Sequence, residues 1–322
     1  MDSQRSALIL KTQKKEDRSL EDITYDEGFK RFFAYKALLA ITLKALVPEY
    51  KDSTIEDIRD KYIQGDIESS RDQDKIVSAG AGVEDGNVKY DIKFDALLPE
   101  STKDHMRVII NIEGQKSTSS LGYDLATRGI YYACNMISSE YGTIFSRSEY
   151  EKLEKVYSIW ISMSPTNKEK GSIVRYKIVE ENPTNDYRNK KENYDKLEVI
   201  ILNLGEIDEE ANINYNEKKV SRYLTKVFTE TTDAEEAIEE LRSEFGIDLP
   251  ESAKEDLKNM CNLSEALIAR STEAGRQEGA EQNKIDNALR MIADGELTLE
   301  KIASYTDLPL EKVQELAAKK SA

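Results

Sequence analysis

Histidine and cysteine are almost absent from this sequence. The chain of 322 residues has one histidine, His105, and two cysteines, Cys134 and Cys261. A lone histidine with no partner to orient it argues against Ser-His-Asp and Cys-His catalysis. Two cysteines this far apart in the sequence form neither a disulfide framework nor a zinc site.

The sequence also lacks long apolar runs and an excess of positive charge. No run of about 20 apolar residues occurs and the N-terminus has no apolar signal core, so we expect a cytoplasmic protein with no membrane partner. The formal net charge of −16 is unusual for a protein that binds nucleic acid. The segment from Glu230 to Asp256 contains eleven acidic residues and only two basic ones, Arg242 and Lys254. A nucleic-acid-binding face therefore lies elsewhere or depends on bound cations.

The pattern along the chain predicts five segments. Residues 1–20 are polar and are expected to be mobile. Residues 21–205 alternate helix and strand patterns, beginning with an amphipathic helix that Thr24 and Glu27 cap. This order predicts an α/β fold with a mixed sheet flanked by helices. An acidic helical region over 206–263, a long helix over 264–295 and a small two-helix tail over 296–322 follow, the tail resembling half of a helix-turn-helix.

Two strand patterns within 21–205 place carboxylates on one face. In residues 88–95 the apolar positions alternate with Lys89, Asp91, Lys93 and Asp95. In residues 107–116 the side chains of Glu113 and Gln115 share a face, and Lys116 points the opposite way. A hairpin of these strands would set an aspartate beside Glu113, and the alternation alone leaves Asp91 and Asp95 as rivals.

Carboxylates on adjacent strands are the oxygen ligands that a hard divalent cation requires. Such an ion lowers the pKa of bound water and stabilises charge that develops on a phosphate. Gln115 would position water or phosphate by hydrogen bonds, since an amide neither titrates nor carries charge. The alternative interpretation is a solvated strand face on which Lys89 and Lys93 pair with Asp91.

Four motifs, in this order, resemble the PD-(D/E)XK nuclease superfamily, and within it the branch of recombination-promoting nucleases and transposases. They are the helix start Tyr25-Asp26-Glu27-Gly28-Phe29-Lys30, the segments Tyr90-Asp91-Ile92 and Asn111-Ile112-Glu113-Gly114-Gln115, and a helix with Arg128 and Tyr132. The resemblance covers about residues 20–205, and the tail after the long helix is typical of the branch too. It implies a restriction-endonuclease-like core and magnesium-dependent DNA cleavage, with manganese as a substitute, in recombination or transposition.

The resemblance also implies roles for individual residues. Asp91 and Glu113 would be the metal ligands and catalytic acids, and Gln115 would stand where many members have lysine. Arg128 and Tyr132 would bind phosphate or brace the site. The alternates to these site residues are Asp95, Lys116, Asp26 and Glu27.

Two features leave a second function open. Asp91 and Glu113 are 22 residues apart, which is long for a tight hairpin, and Gln115 supplies no positive charge. The alternative is a catalytically silent assembly protein that keeps the nuclease fold. In either case we expect a homo-oligomer through the C-terminal helices, and in the first case DNA as partner.

Overall fold

The five-stranded sheet at the centre of the fold is mixed. The computed structural model describes residues 25–64, 83–85, 88–99, 107–115 and 122–321. The strands are β1 (Val83–Asp85), β2 (Val88–Tyr90), β3 (Ile92–Leu97), β4 (Arg107–Gln115), β5 (Lys155–Ser162), β6 (Ile173–Lys177) and β7 (Leu197–Asn203). The main sheet has the order β3-β4-β5-β7-β6, and β1 pairs with β2 separately.

The parallel strands lie in the middle of this sheet. Strands β4, β5 and β7 are parallel, whereas β3 and β6 are antiparallel to their neighbours at the two edges. Every residue of β7 is buried, as expected for a strand covered on both faces. The mixed sheet with flanking helices confirms the predicted α/β, restriction-endonuclease-like fold class, and the antiparallel β3–β4 pair confirms the predicted hairpin.

The helices cover both faces of the sheet and form the C-terminal half. They are α1 (25–33), α2 (Lys36–Leu46), α3 (Ile55–Asp57, continued by a π turn over Ile58–Tyr62), α4 (Leu125–Ser139), α5 (Tyr215–Thr229), α6 (Ala234–Phe245), α7 (Glu251–Asp294), α8 (Leu299–Thr306) and α9 (Leu310–Ser321). Asp124 caps α4 by accepting from the Ala126 N–H at 2.8 Å. Asn214 and Glu217 form a capping box at α5.

The first helix differs from the continuous one that the sequence predicts. It is interrupted at Tyr35, whose backbone is extended (φ −78°, ψ 124°). The Tyr35 hydroxyl donates to the carboxylate of Asp256 at 2.9 Å, so a tertiary contact holds the interruption. Thr24, the predicted cap, lies outside the described residues.

The two faces of the sheet are distinguished by two glycines. A Cβ on Gly129 of α4 would lie 2.6 Å from Val199 and 3.0 Å from Trp160, so α4 packs directly on β5 and β7. A Cβ on Gly114 would lie 2.9 Å from the ring of Phe29, so α1 packs on the opposite face. Phe228 of α5 extends that second layer with its ring 5.8 Å from Phe29.

The chain divides into two compact units, Met1–Glu265 and Ala266–Ala322. In the second unit Ala288 of α7 packs with Ile302 of α8 and Val313 of α9 in one apolar core. The boundary predicted at 264 falls inside α7, which begins at Glu251 after Pro250, and the Ser264 hydroxyl bonds back to the Met260 carbonyl within that helix. None of the helices that the structure describes is both long and apolar enough to cross a membrane.

Candidate active site

Asp91 and Glu113 hold each other through backbone amides. The Asp91 N–H donates to Glu113 Oε1 at 3.0 Å, and the Gly114 N–H donates to Asp91 Oδ2 at 3.1 Å. Glu113 is 4% exposed and the Asp91 side chain 14% exposed. The two carboxylates are therefore adjacent, oriented and largely withdrawn from water.

These two hydrogen bonds explain an interruption of the strand that the alternation of the sequence does not predict. Residues 88–95 were expected to form one strand, but β2 ends at Tyr90 and β3 begins at Ile92. The Asp91 N–H bonds to a side chain instead of the β4 backbone, so the regular ladder stops there. Ile92 pairs with Ile112, and continuing this register by one residue sets Asp91 opposite Glu113.

Asp95, the rival of Asp91, lies elsewhere. It pairs with Ile109, about 13 Å further along the strand from Asp91 at the usual rise per residue. There it lies close to Glu140. Burial is the main cause that raises the pKa of Glu140 to about 7, and the charge of Asp95 adds to it. The structure thus brings Asp91, and not Asp95, beside Glu113.

Lys30 of α1 enters the site and was missed by the sequence reasoning. Its ammonium lies 3.3 Å from Asp91 Oδ1 and 2.5 Å from Asp26 Oδ2, and its side chain is 10% exposed. Burial opposes the charge of Lys30, but the hydrogen bond to Asp26 and the charge of Asp91 raise its pKa above the usual value. The only sequence signal was its place four residues after Asp26.

The protonation of Asp91 is set by opposing effects. Burial raises the pKa of Asp91 above its ordinary value, although the Gly114 N–H and the Lys30 ammonium act in the opposite direction. The negative charge of Asp26 adds to the increase. Burial leaves the ionised form of Asp91 poorly stabilised. A positive charge added beside Asp91 would therefore favour that ionised form.

Arg128 and Tyr132 reach the same site from α4. Arg128 donates to the Tyr132 hydroxyl at 2.8 Å and to the Tyr123 hydroxyl at 2.9 Å. Its guanidinium also lies 5.1 Å from the Trp160 ring centroid. Burial opposes its charge, but the Tyr132 bond and the Glu113 carboxylate raise the pKa of Arg128. The guanidinium is thus a fixed cation within the electrostatic reach of Glu113.

Tyr132 links this cation to the strand that carries Asp91. Its ring lies 5.3 Å from the ring of Tyr90 and 5.1 Å from that of Trp160. The Tyr90 hydroxyl donates to the Tyr132 carbonyl at 3.3 Å. Burial raises the pKa of Tyr132, and the Glu113 and Asp91 charges add to the increase. The neutral phenol therefore serves here as an acceptor for Arg128.

The remaining site candidates have distinct positions. Gln115 ends β4 on the face of Glu113, and its carbonyl accepts from the Met163 N–H at 2.9 Å. Asp26 binds the ammonium of Lys30, and its charge also acts on Asp91. Glu27 is directed to Arg31, 3.7 Å away, and its side chain is 55% exposed. Lys116 lies outside the described residues.

The donor set at this site suits a hard divalent cation. Asp91 and Glu113 provide carboxylate oxygens, and the amide of Gln115 lies on the same strand face as Glu113. No group of three or more acidic, histidine or cysteine side chains that could hold a metal occurs in the described part of the chain. Two carboxylates fit magnesium, which retains several waters and takes further ligands from substrate phosphates.

Comparison with protein families gives a match that covers most of the chain. The model of a family described as PD-(D/E)XK nuclease family transposase matches residues 86–292, which is more than half of the chain. The match includes Asp91, Glu113, Gln115, Arg128 and Tyr132. No curated protein and no solved structure gives a significant match.

Proposed function

Since this chain belongs to the PD-(D/E)XK nuclease family of transposases, we propose that it is a metal-dependent DNA endonuclease. Family membership supports a nuclease-type function in general. The observation that carries the finer proposal is the mutual anchoring of Asp91 and Glu113, which sets two buried carboxylates side by side. The proposal includes a role in recombination or transposition, which the family description supports, and DNA in the cytoplasm as the substrate.

Asp91 and Glu113 would hold the magnesium ion, and manganese would substitute for it. The ion supplies a polarised water and a counter-charge for the phosphate. The backbone amides of Asp91 and Gly114 fix one oxygen of each carboxylate, which reduces the rotamer freedom that metal binding has to remove. Gln115 orients water or phosphate by hydrogen bonds.

Lys30 provides the positive charge that Gln115 lacks. Its ammonium lies 3.3 Å from Asp91 Oδ1. With a cation held by Asp91 and Glu113, the flexible side chain of Lys30 would offer its ammonium to a phosphate oxygen while Asp26 binds it. We assign Lys30 a role in stabilising the charge that builds up on the phosphate.

Arg128 binds the phosphate backbone next to the scissile bond. A guanidinium presents several N–H donors in a rigid plane that matches phosphate oxygens. Tyr123 and Tyr132 each accept one of these N–H groups, so the plane is already oriented before substrate arrives. This preorganisation supports a binding role for Arg128 and a positioning role for Tyr132.

The decisive experiment is cleavage of supercoiled plasmid with magnesium, with manganese and with EDTA. Glu113→Gln and Asp91→Asn are expected to abolish nicked and linear products while circular dichroism stays unchanged. Asp95→Asn is the matched control, because Asp95 is opposite Ile109 and not beside Glu113. Full cleavage by Asp91→Asn, with loss of cleavage in Asp95→Asn, would reverse the assignment of the two aspartates.

The role of Lys30 has its own control on the same helix. Lys30→Met should lower cleavage strongly, since it removes the only cation within 4 Å of Asp91 among the described residues. Arg31→Met removes an exposed cation that pairs with Glu27 and should leave the rate unchanged. Equal rates for both variants would show that Lys30 takes no part.

The same assay decides the alternative function. Absence of any metal-dependent product from folded protein would favour a catalytically silent assembly protein. That protein should form an oligomer in light scattering, and deletion of residues after 265 should dissociate it. A monomer without nuclease activity would exclude both functions.

A further inference from the structure

Tyr123 and Tyr131, on either side of Arg128 in the sequence, have exposed aromatic rings. Neither ring has a role in the site described above, where only the Tyr123 hydroxyl takes part. Tyr123 is 48% exposed and Tyr131 is 55% exposed, so both rings are accessible to a ligand. Arg128 donates to the Tyr123 hydroxyl and lies 5.9 Å from the centroid of its ring. The ring of Tyr131 meets that of Tyr132 edge-on at 6.4 Å.

Tyr131 lies on the flank of α4 that borders the two carboxylates, and Tyr123 lies just before the start of that helix. Arg128, Tyr131 and Asn135 follow one another at helical spacings of three and four, so they share a flank. Asn135 donates to the Tyr90 hydroxyl at 2.9 Å, which ties this flank to the residue directly before Asp91. An exposed aromatic surface therefore begins where the phosphate would be bound.

We propose that Tyr123 and Tyr131 form a stacking platform for an unpaired base of the DNA substrate, next to the phosphate that Arg128 binds. The inference rests on the proposed nuclease function and adds to it the substrate class. A base inside a duplex is stacked on both faces, whereas a base of single-stranded or locally opened DNA has an unstacked face. Stacking on aromatic side chains is the usual way in which proteins bind such bases.

The charge of the chain favours this kind of contact. With 46 basic against 62 acidic residues, the chain has no overall excess of positive charge to contribute affinity for DNA. Stacking contributes affinity that does not depend on counterion release, and it needs only the local cations at Arg128 and Lys30. The preferred substrate is therefore DNA with an unpaired segment at the cleavage position.

The test measures binding of a single-stranded oligonucleotide that contains the fluorescent base 2-aminopurine, in EDTA so that no cleavage occurs. The full-length protein should quench the base by stacking. Tyr123→Ala and Tyr131→Ala should each weaken binding roughly 5- to 150-fold and abolish the quenching. The matched control is Tyr305→Ala, which removes a tyrosine that is 64% exposed on α8.

Phenylalanine variants separate stacking from a hydroxyl role. Tyr123→Phe keeps the ring but removes one acceptor of Arg128, so it should retain the quenching and lose less affinity than Tyr123→Ala. Loss of affinity in Tyr123→Phe equal to that in Tyr123→Ala would show that this residue only positions Arg128, and the platform would be refuted. Equal affinities of Tyr131→Ala and Tyr305→Ala, or no binding of single strands by the parent, would refute it as well.

Failure of the platform differs from failure of the nuclease function. Metal-dependent plasmid cleavage together with unaltered oligonucleotide binding in both alanine variants would leave the nuclease and remove the platform. Tyrosine-dependent quenching without any cleavage would leave the platform and remove the nuclease. An opened duplex should be cut faster than a fully paired one of the same sequence by the parent, and this difference should vanish in Tyr131→Ala.

Discussion

Replacement of Gly114 by alanine should destabilise the protein and disturb the site together. The added Cβ would lie 2.9 Å from two ring carbons of Phe29 and 3.0 Å from a third. Carbon atoms in contact are ordinarily about 3.5–4.0 Å apart, so the ring has to retreat by roughly 0.5–1 Å. Phe29 is 1% exposed and already lies against Phe33, with ring centroids 4.7 Å apart.

Because the interior is close-packed, the Phe29 ring cannot move alone, and α1 has to shift with it. Overpacking of this kind typically costs about 1–3 kcal/mol. The free energy of unfolding should fall by that amount in Gly114→Ala. Lys30, the next residue after Phe29, should lose its 3.3 Å contact with Asp91, so cleavage should fall by more than the folded fraction does.

The assay is urea denaturation followed by far-UV circular dichroism. Gly122→Ala is the control, because a Cβ on Gly122 meets nothing within 4 Å. The double variant Phe29→Leu, Gly114→Ala should recover part of the loss, since the smaller side chain makes room for the methyl group. Equal unfolding free energies for Gly114→Ala and Gly122→Ala would refute the reasoning.

Two other substitutions test the electrostatics and packing of α4, and a third, on α7, is the control. Burial raises the pKa of Glu140 from 4.5 to about 7, so its contribution to stability is complete below about pH 4.5 and is lost as the pH rises through 7. The neutral variant Glu140→Gln should therefore raise the unfolding free energy by about 1–2 kcal/mol at pH 8. It should gain nothing at pH 4.5, and a gain equal at both pH values in chemical denaturation would contradict this. Gly129→Ala should cost about 1–3 kcal/mol and shift the fluorescence of Trp160, because the methyl group would lie 2.6 Å from Val199. Gly279→Ala, where a Cβ meets nothing within 4 Å on α7, should instead stabilise by up to about 1 kcal/mol, and melting curves that rank the two variants alike would contradict the packing argument.

Regular structure was predictable where side-chain periodicity is clear. The apolar and alternating patterns of residues 156–163, 172–179 and 197–204 predict strands and coincide with β5, β6 and β7. The pattern of residues 123–139 predicts a helix and coincides with α4. Burial of alternate or of all positions produces these patterns, so they can be read without a fold. The interruption at Tyr35 was not predictable, because its hydroxyl partner Asp256 is 221 residues away.

The sequence by itself determined the chemistry available at the site: which strands alternate, and that Glu113 and Gln115 share a face with an aspartate opposite. The alternation left Asp91 and Asp95 equivalent, since residues four apart on a strand point the same way, and only the family resemblance favoured Asp91. The tertiary structure sets Asp91 beside Glu113 through the register that pairs Ile92 with Ile112. It alone brought Lys30 to Asp91, because the position of α1 depends on the packing of Phe29 against Gly114 and not on any local pattern. Periodicity encodes the direction in which a side chain points, whereas register and helix docking are set by long-range packing.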